Sequence, residues 1–386
     1  MSSVLEVLKQ NHEEMKSWFY SLHQKPEVAF EEENTAKFIA DKLKDWGYEV
    51  HEKIGKTGVV ATMTLGDSQK AIGLRADMDA LPIHEVNNLH YKSRIDGQSH
   101  LCGHDGHSIM LLAAGKYLAE TKNFNGKLRL IFQPAEEIMR GGSSMIDDGL
   151  FERWPVDAVY GMHNIPGLEL GKLYFRDGET MSAVDLWEIE LVGKGGHGSM
   201  PEKSIDPLVA GASLVMALQS IVSRNVSPWD NAVVNIGAFI AGESNNTIPQ
   251  SALLRLSMRN MQPKTRELVL QRIRDITKGQ AESYNCTYEI RETTAGAVLV
   301  NSKEETDYAA EVARKTFGGE NVIYPGNVYM ASEDFAFMLQ KKPGTYCMLG
   351  NGNSQMVHNP KYVFNLDILP IGAAYWVALA EDYLRK

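Results

Sequence analysis

The sequence predicts an α/β protein with a mixed sheet and a second, smaller domain inserted into the first. Three observations carry that prediction. Short β-rich runs at 71–74, 127–132 and 156–160 each empty into a turn bearing polar residues: Asp77 and Asp79, then Glu136 and Glu137, then His163. With helical patterns between them, such runs suit a parallel or mixed sheet, whose sites form beyond the carboxyl ends of the strands. Near Ala183 the rhythm changes to strand, helix, two strands, helix, strand, the β-α-β-β-α-β order of a ferredoxin-like unit. A length of 386 residues also suits two domains. The expected division is 1–182 with 295–386, and 183–294 inserted.

In chain order, residues 4–24 place Val4, Leu8, Met15, Trp18, Phe19 and Leu22 at helical spacing, and Pro26 ends that helix. A second helix is expected over 33–46, stopping at Gly47, followed by strands at 48–50 and 59–65. The apolar stretch 108–119 reads as a helix. Within the insert, strands at 186–192, 233–241, 253–258 and 287–291 enclose helices at about 206–223 and 264–284. The closing part carries a helix at 303–317, a strand at 345–349 and a final helix ending at Lys386.

The composition excludes several classes of partner. Net charge is −10, with lysines and arginines scattered, so nucleic acid and anionic membrane are not expected partners. Residues 1–16 lack the apolar core of a signal peptide, and no run of about 18 consecutive apolar residues occurs. Three cysteines, Cys102, Cys286 and Cys347, show no repeated spacing. A disulfide framework is therefore not expected, and a cytoplasmic, reducing location is.

The stretch Cys102-Gly103-His104-Asp105-Gly106-His107 offers a thiolate, imidazoles and a carboxylate, a donor set for a borderline-soft divalent metal. The plainer alternative is a helix start where Asp105 or His107 caps free amides. In Glu136-Glu137 one carboxylate can bind metal while its neighbour moves a proton; alone, such a pair is a solvated turn. His163 and His358 follow strand ends. Together with Cys102, His104 and Glu137 they make five donors, enough for two metals sharing a bridging group. His197 lies in a loop rich in glycine, which lets backbone approach a ligand or simply forms a hinge. Asn246 and Arg259 suit a substrate carboxylate, or are structural. His12, His23, His51, His84, His90 and His100 are assigned no role.

The chain resembles the M20 metallopeptidase family, and within it the amidohydrolase branch of hippurate hydrolases, aminoacylases and auxin-conjugate hydrolases. The resemblance runs nearly end to end. It rests on Leu22-His23 to Pro26-Glu27, Arg75-Ala76-Asp77-Met78-Asp79-Ala80-Leu81-Pro82, Cys102 to His107, Pro134-Ala135-Glu136-Glu137 and Met162-His163-Asn164. It continues through Gly193-Lys194-Gly195-Gly196-His197-Gly198-Ser199, Asn246-Thr247-Ile248-Pro249, Ser332-Glu333-Asp334-Phe335 and His358-Asn359-Pro360.

That resemblance implies a metallohydrolase catalytic domain in which Cys102, His104, Glu137, His163 and His358 bind two divalent ions, zinc, manganese, cobalt or nickel. It makes Glu136 the base toward a water shared by the metals, Asp77 an acidic residue supporting the ligands, and His197 a group on a dimerisation or lid domain that stabilises the oxyanion. The implied reaction splits an N-acyl amino acid into a carboxylate and a free amino acid, in a homodimer or higher homo-oligomer. Arg75 stands where peptidase branches carry a metal-binding His, which favours the amidohydrolase branch. Thr247 replaces a more usual Val, and Val363 and Leu366 stand where Asp is common, departures that bear on substrate preference. The rivals are a dipeptidase or carboxypeptidase, an N-acetyl-diaminopimelate deacetylase, or a catalytically silent binding protein. A silent member is expected to lose the base, and Glu136 is present.

Overall fold

A computed structural model describes residues 4–385; Lys386, the expected end of the final helix, lies outside the described residues. The chain divides into two compact units. Among the described residues the first comprises 4–178, 300–327 and 334–385, the second 179–299 and 328–333. The sequence reading leaves 328–333 with the first domain. The structure ties it to the second because the Ser182 N–H donates to the carbonyls of Tyr329 and Ala331, and Arg259 donates to Ser332 Oγ.

The first unit is built on an eight-stranded mixed sheet. Across it run Glu49–Ile54, Gly58–Leu65, Gly126–Gln133, Ala71–Asp77, Ala158–Ile165, Gly344–Gly350, Leu173–Tyr174 and Val322–Ile323. The four middle strands, from Gly126–Gln133 to Gly344–Gly350, are mutually parallel, whereas the first two are antiparallel to their neighbours. Ala71–Asp77 and Gly344–Gly350 are buried along their whole length, as expected of parallel strands covered on both faces. The sequence reading ends the first of these at residue 74. The ladder continues to Asp77, because Arg75, Ala76 and Asp77 all pair with Gly126–Gln133.

Helix His104–Thr121 is buried around nearly its whole girth and packs Ile109, Leu112 and Leu118 into the same core as Leu74, Leu130 and Trp376. It starts four residues before the expected point, so the Cys/His motif forms its first turn. Gly103 makes this entry with φ +99, and a Cβ there would meet Asn164 and the Tyr362 hydroxyl. The expected single helix at 4–24 is two, Val4–Gln10 and His12–His23, broken at Asn11.

The second unit is a four-stranded antiparallel sheet in the order Ala232–Ile240, Ser251–Asn260, Ala183–Val192, Thr287–Ala295. Helices Pro207–Arg224 and Pro263–Ser283 pack Leu214, Leu218, Ile221, Val269 and Ile273 against Trp187, Ile189, Leu254 and Leu256. That connectivity is the expected split β-α-β arrangement. Pro207–Arg224 is, by length and composition alone, apolar enough to cross a membrane. One face of it nevertheless forms this core, while Val209 and Met216 on the other are exposed.

Candidate metal centre

Four strand ends and loops of the first unit bring the expected donors together. Cys102 precedes the helix that His104 opens, Glu136 and Glu137 follow strand Gly126–Gln133, and His163 lies near the end of Ala158–Ile165. His358 sits in the loop after Gly344–Gly350. Cys102, His104 and His163 form one group whose donor atoms lie within 4.8 Å of one another, Cys102, Glu137 and His358 a second, and His104, Glu136 and Glu137 a third. Linked groups of this kind have the form of a two-cation site. Gly103 occupies the cap position and makes no side-chain cap, but Asp105 Oδ1 accepts the free first-turn N–H of Gly106 at 2.8 Å, as the plainer reading expects, while His107 caps no amide of the helix.

The imidazoles are oriented by their outer nitrogens. His104 Nδ1 donates to the Asp79 carbonyl at 2.9 Å and lies 3.2 Å from its carboxylate. This leaves Nε2 buried without a hydrogen-bond partner, 3.9 Å from carboxylate oxygens of both Glu136 and Glu137. His163 Nδ1 donates to the Asn164 carbonyl at 2.6 Å, so its Nε2 faces Cys102 Sγ at 3.4 Å. His358 Nε2 reaches Glu137 Oε2 at 3.2 Å. Two of the turns that present these groups are strained, with Ala135 at φ +51 and His358 at φ +68, a pattern typical of functional sites.

The electrostatics fit a cation. Burial, reinforced by the Glu137 carboxylate, pushes the Cys102 thiol well above its usual pKa. Burial disfavours charge on His104 too, yet Asp77 raises it well above the ordinary imidazole value. The first shift reflects burial and the second the nearby carboxylate, and the unpartnered His104 Nε2 is a ready ligand atom. Nitrogen, sulfur and carboxylate donors together match zinc or its neighbours in the first transition row.

The carboxylate bonded to His104 is Asp79; the expected supporting residue, Asp77, comes no closer to His104 Nε2 than 3.9 Å. Asp77 is engaged by His107 Nδ1 at 2.6 Å and by Arg75 Nη1 at 2.7 Å. Although burial opposes its ionisation, His104, His107 and Arg75 hold its carboxyl well below the usual range. Arg75, fully buried, donates to Gln133 Oε1 at 2.9 Å and lies 3.3 Å from Asp334 Oδ1. The guanidinium thus sits inside a closed, buried cluster with Asp77, Gln133 and Asp334. Asp79 and His107 are the residues that sequence reasoning missed. Their only signal was membership of the two acidic and His-rich motifs.

The remaining candidates lie in the second unit. Strand Gly196–His197 pairs with Thr247–Ile248, and the Gly198 N–H donates to the Asn246 carbonyl at 2.8 Å. His197 and Asn246 are therefore neighbours, both exposed. His197 Nδ1 accepts from Ser199. Arg259 is half-buried, donating to Ser332 Oγ at 2.7 Å.

Comparison with known proteins agrees with this geometry. The chain is 48% identical over 366 residues to hippurate hydrolase of Campylobacter jejuni, covering 95% of each protein. It is 35% identical over 375 residues to IAA-amino acid hydrolase ILR1-like 2 of Arabidopsis thaliana, covering 95% of this chain and 84% of that one. Among solved structures, the Bacillus subtilis YXEP protein, described as a dinuclear metal binding peptidase from M20 family, superposes with a TM-score of 0.84 at 30% identity, over 97% of this chain and 99% of that one. The sequence pattern of the family matches residues 73–382, and the chain belongs to peptidase family M20/M25/M40.

Proposed function

We propose that this protein is a metal-dependent amidohydrolase that splits N-acyl amino acids into a carboxylate and a free amino acid. The observation that carries the reading is the chain of linked donor groups, Cys102 with His104 and His163, Cys102 with Glu137 and His358, and the unpartnered Nε2 of His104 beside Glu136 and Glu137. Relatives named for hydrolysing hippurate and IAA–amino acid conjugates support the substrate class, and a relative described as dinuclear supports two ions.

In this reading Cys102, His104, Glu137, His163 and His358 hold two divalent cations. Bound there, the ions supply Lewis acidity that lowers the pKa of a water and polarises the acyl carbonyl. Glu136 takes the proton of the attacking water and returns it to the leaving amine, so one carboxylate serves as base and then acid. Asp79 and the Asn164 carbonyl fix the tautomers of His104 and His163, so that each presents Nε2 to the site. His197 donates to the oxyanion of the tetrahedral intermediate, and Asn246 and Arg259 hold the substrate carboxylate.

The active form is a dimer built through the second unit. Strand Ala232–Ile240 is a sheet edge without a charged residue and leaves Val233 and Ile240 exposed, and the helix packed on it, Pro207–Arg224, exposes Val209 and Met216, the kind of edge a second copy covers. The three buried free cysteines suit a cytoplasmic, reducing location. The decisive experiment is a panel of N-acyl amino acids, hippurate included, assayed with added Zn²⁺, Mn²⁺ or Co²⁺. Release of the free amino acid is expected, and its absence with every metal and substrate would overturn the reading.

A further inference from the structure

The turn that carries Glu136 is gripped from a distant part of the chain. Glu32 stands immediately before helix Glu33–Asp45 and is fully buried. Its carboxylate does not cap that helix; Glu27 does so, accepting from the Asn34 N–H at 3.1 Å and the Thr35 N–H at 2.8 Å. Glu32 Oε1 instead accepts two backbone N–H groups, those of Phe30 and Ala135, each at 2.9 Å. Both residues have left-handed backbones, Phe30 at φ +65 and Ala135 at φ +51, conformations that side chains bearing a Cβ adopt only when held. Thr57 Oγ1 donates to the other oxygen, Oε2, at 2.5 Å. Three neutral donors therefore fix one buried carboxylate, and that carboxylate fixes a strained turn one residue before Glu136. On the far side of Glu136, the Glu137 N–H donates to Asp79 Oδ2 at 3.0 Å.

We propose that Glu32 is a positioning residue for Glu136: by holding the Ala135 N–H it locks the strained turn that aims the base. The proposal rests on the reading of Glu136 as the base. Glu32 touches neither metal ligand nor substrate in this arrangement, so its loss should act on turnover and leave metal and substrate binding in place. A base displaced by about an ångström loses on the order of 100-fold in rate.

The test measures kcat, KM and bound metal for Glu32→Ala, Glu32→Asp, Glu32→Gln and Glu136→Gln, all in the metal-loaded enzyme. Glu32→Ala is expected to lower kcat by about 10- to 100-fold with KM and metal content near wild type. Glu32→Asp keeps a buried carboxylate but withdraws it by one methylene, so it should lower kcat in the same direction even where the alanine variant folds poorly. Glu32→Gln keeps an oxygen that accepts both N–H groups and should restore most of kcat. Ala135→Gly, added to Glu32→Ala, should recover part of it, because glycine adopts positive φ without steric cost. Wild-type kcat in Glu32→Ala and Glu32→Asp, with Glu136→Gln inactive, overturns the clamp and leaves the base intact. Full activity in Glu136→Gln overturns the reading of the base itself.

Discussion

Asp79 holds His104 at Nδ1 with two oxygens, its backbone carbonyl at 2.9 Å and its carboxylate at 3.2 Å, while the same side chain accepts the Glu137 N–H at 3.0 Å. One residue thus sets both the tautomer of an imidazole ligand and the pose of a carboxylate ligand. Asp79→Ala removes the side-chain contacts and spares the carbonyl. Loss of such a partner weakens metal binding by about 10- to 100-fold. Competition with a chelator of known affinity measures this, and an unchanged affinity would show that the carbonyl alone orients His104.

Activity should disappear with a chelator and return with a divalent cation, since five donors from separate stretches of one unit converge on the site. Glu136→Gln should keep the metal and lose about two to four orders of magnitude in kcat, the usual scale for a general base. If metal departs together with activity, the roles of Glu136 and Glu137 are exchanged.

Cys102→Ser should lower the metal content found by elemental analysis, because a serine hydroxyl stays protonated and binds such ions poorly. Cys102 belongs to two donor groups, one with His104 and His163 and one with Glu137 and His358, so both ions should be affected. Wild-type metal content in this variant would make the thiol a bystander.

His23, 4% exposed, lies between two buried carboxylates, with Nδ1 2.7 Å from Asp105 and Nε2 3.4 Å from Glu85. Burial opposes its charge, but Asp105 and Glu85 outweigh it and raise its pKa from 6.5 to about 9. A group protonated more readily when folded stabilises the fold fully below its unfolded pKa, and the gain is lost as pH rises through the folded one. Unfolding free energy should therefore fall by about 3 kcal/mol between pH 6.5 and 9 from this group. Denaturant titrations across that window should show a steeper loss of stability in the wild type than in His23→Gln, and equal slopes would remove His23 as the cause.

Should each second unit lend its His197 to the partner's site, His197→Ala and Glu136→Ala will be inactive singly and complement when unfolded and reassembled together. Random mixing makes half the dimers mixed, each with one intact site, so about a quarter of wild-type activity should return. Verified mixed dimers without recovery would place His197 in its own chain's site or in a structural role.

Much of this protein could be read from local pattern. Helical spacing in 303–317 and 264–284, the alternation of 186–192 and the apolar runs at 71–74 and 127–132 each reflect a backbone period, and the structure forms an element at every one. The donors Cys102, His104 and Glu137 were legible because their types and motifs are chemically unusual. What the sequence could not show are contacts whose partners are far apart along the chain. Glu32 sits in the run Glu31-Glu32-Glu33, which carries no motif or spacing that singles it out, yet it is fully buried and holds Ala135, 103 residues away. His23, to which sequence assigned no role, pairs with Asp105 across 82 residues. In both cases packing removes water from an ionisable group, and a polar group without water must find its partners wherever the folded chain supplies them. Backbone period and side-chain type are properties of neighbouring residues and so can be read directly; desolvation exists only once the sheet and helices have closed around the site.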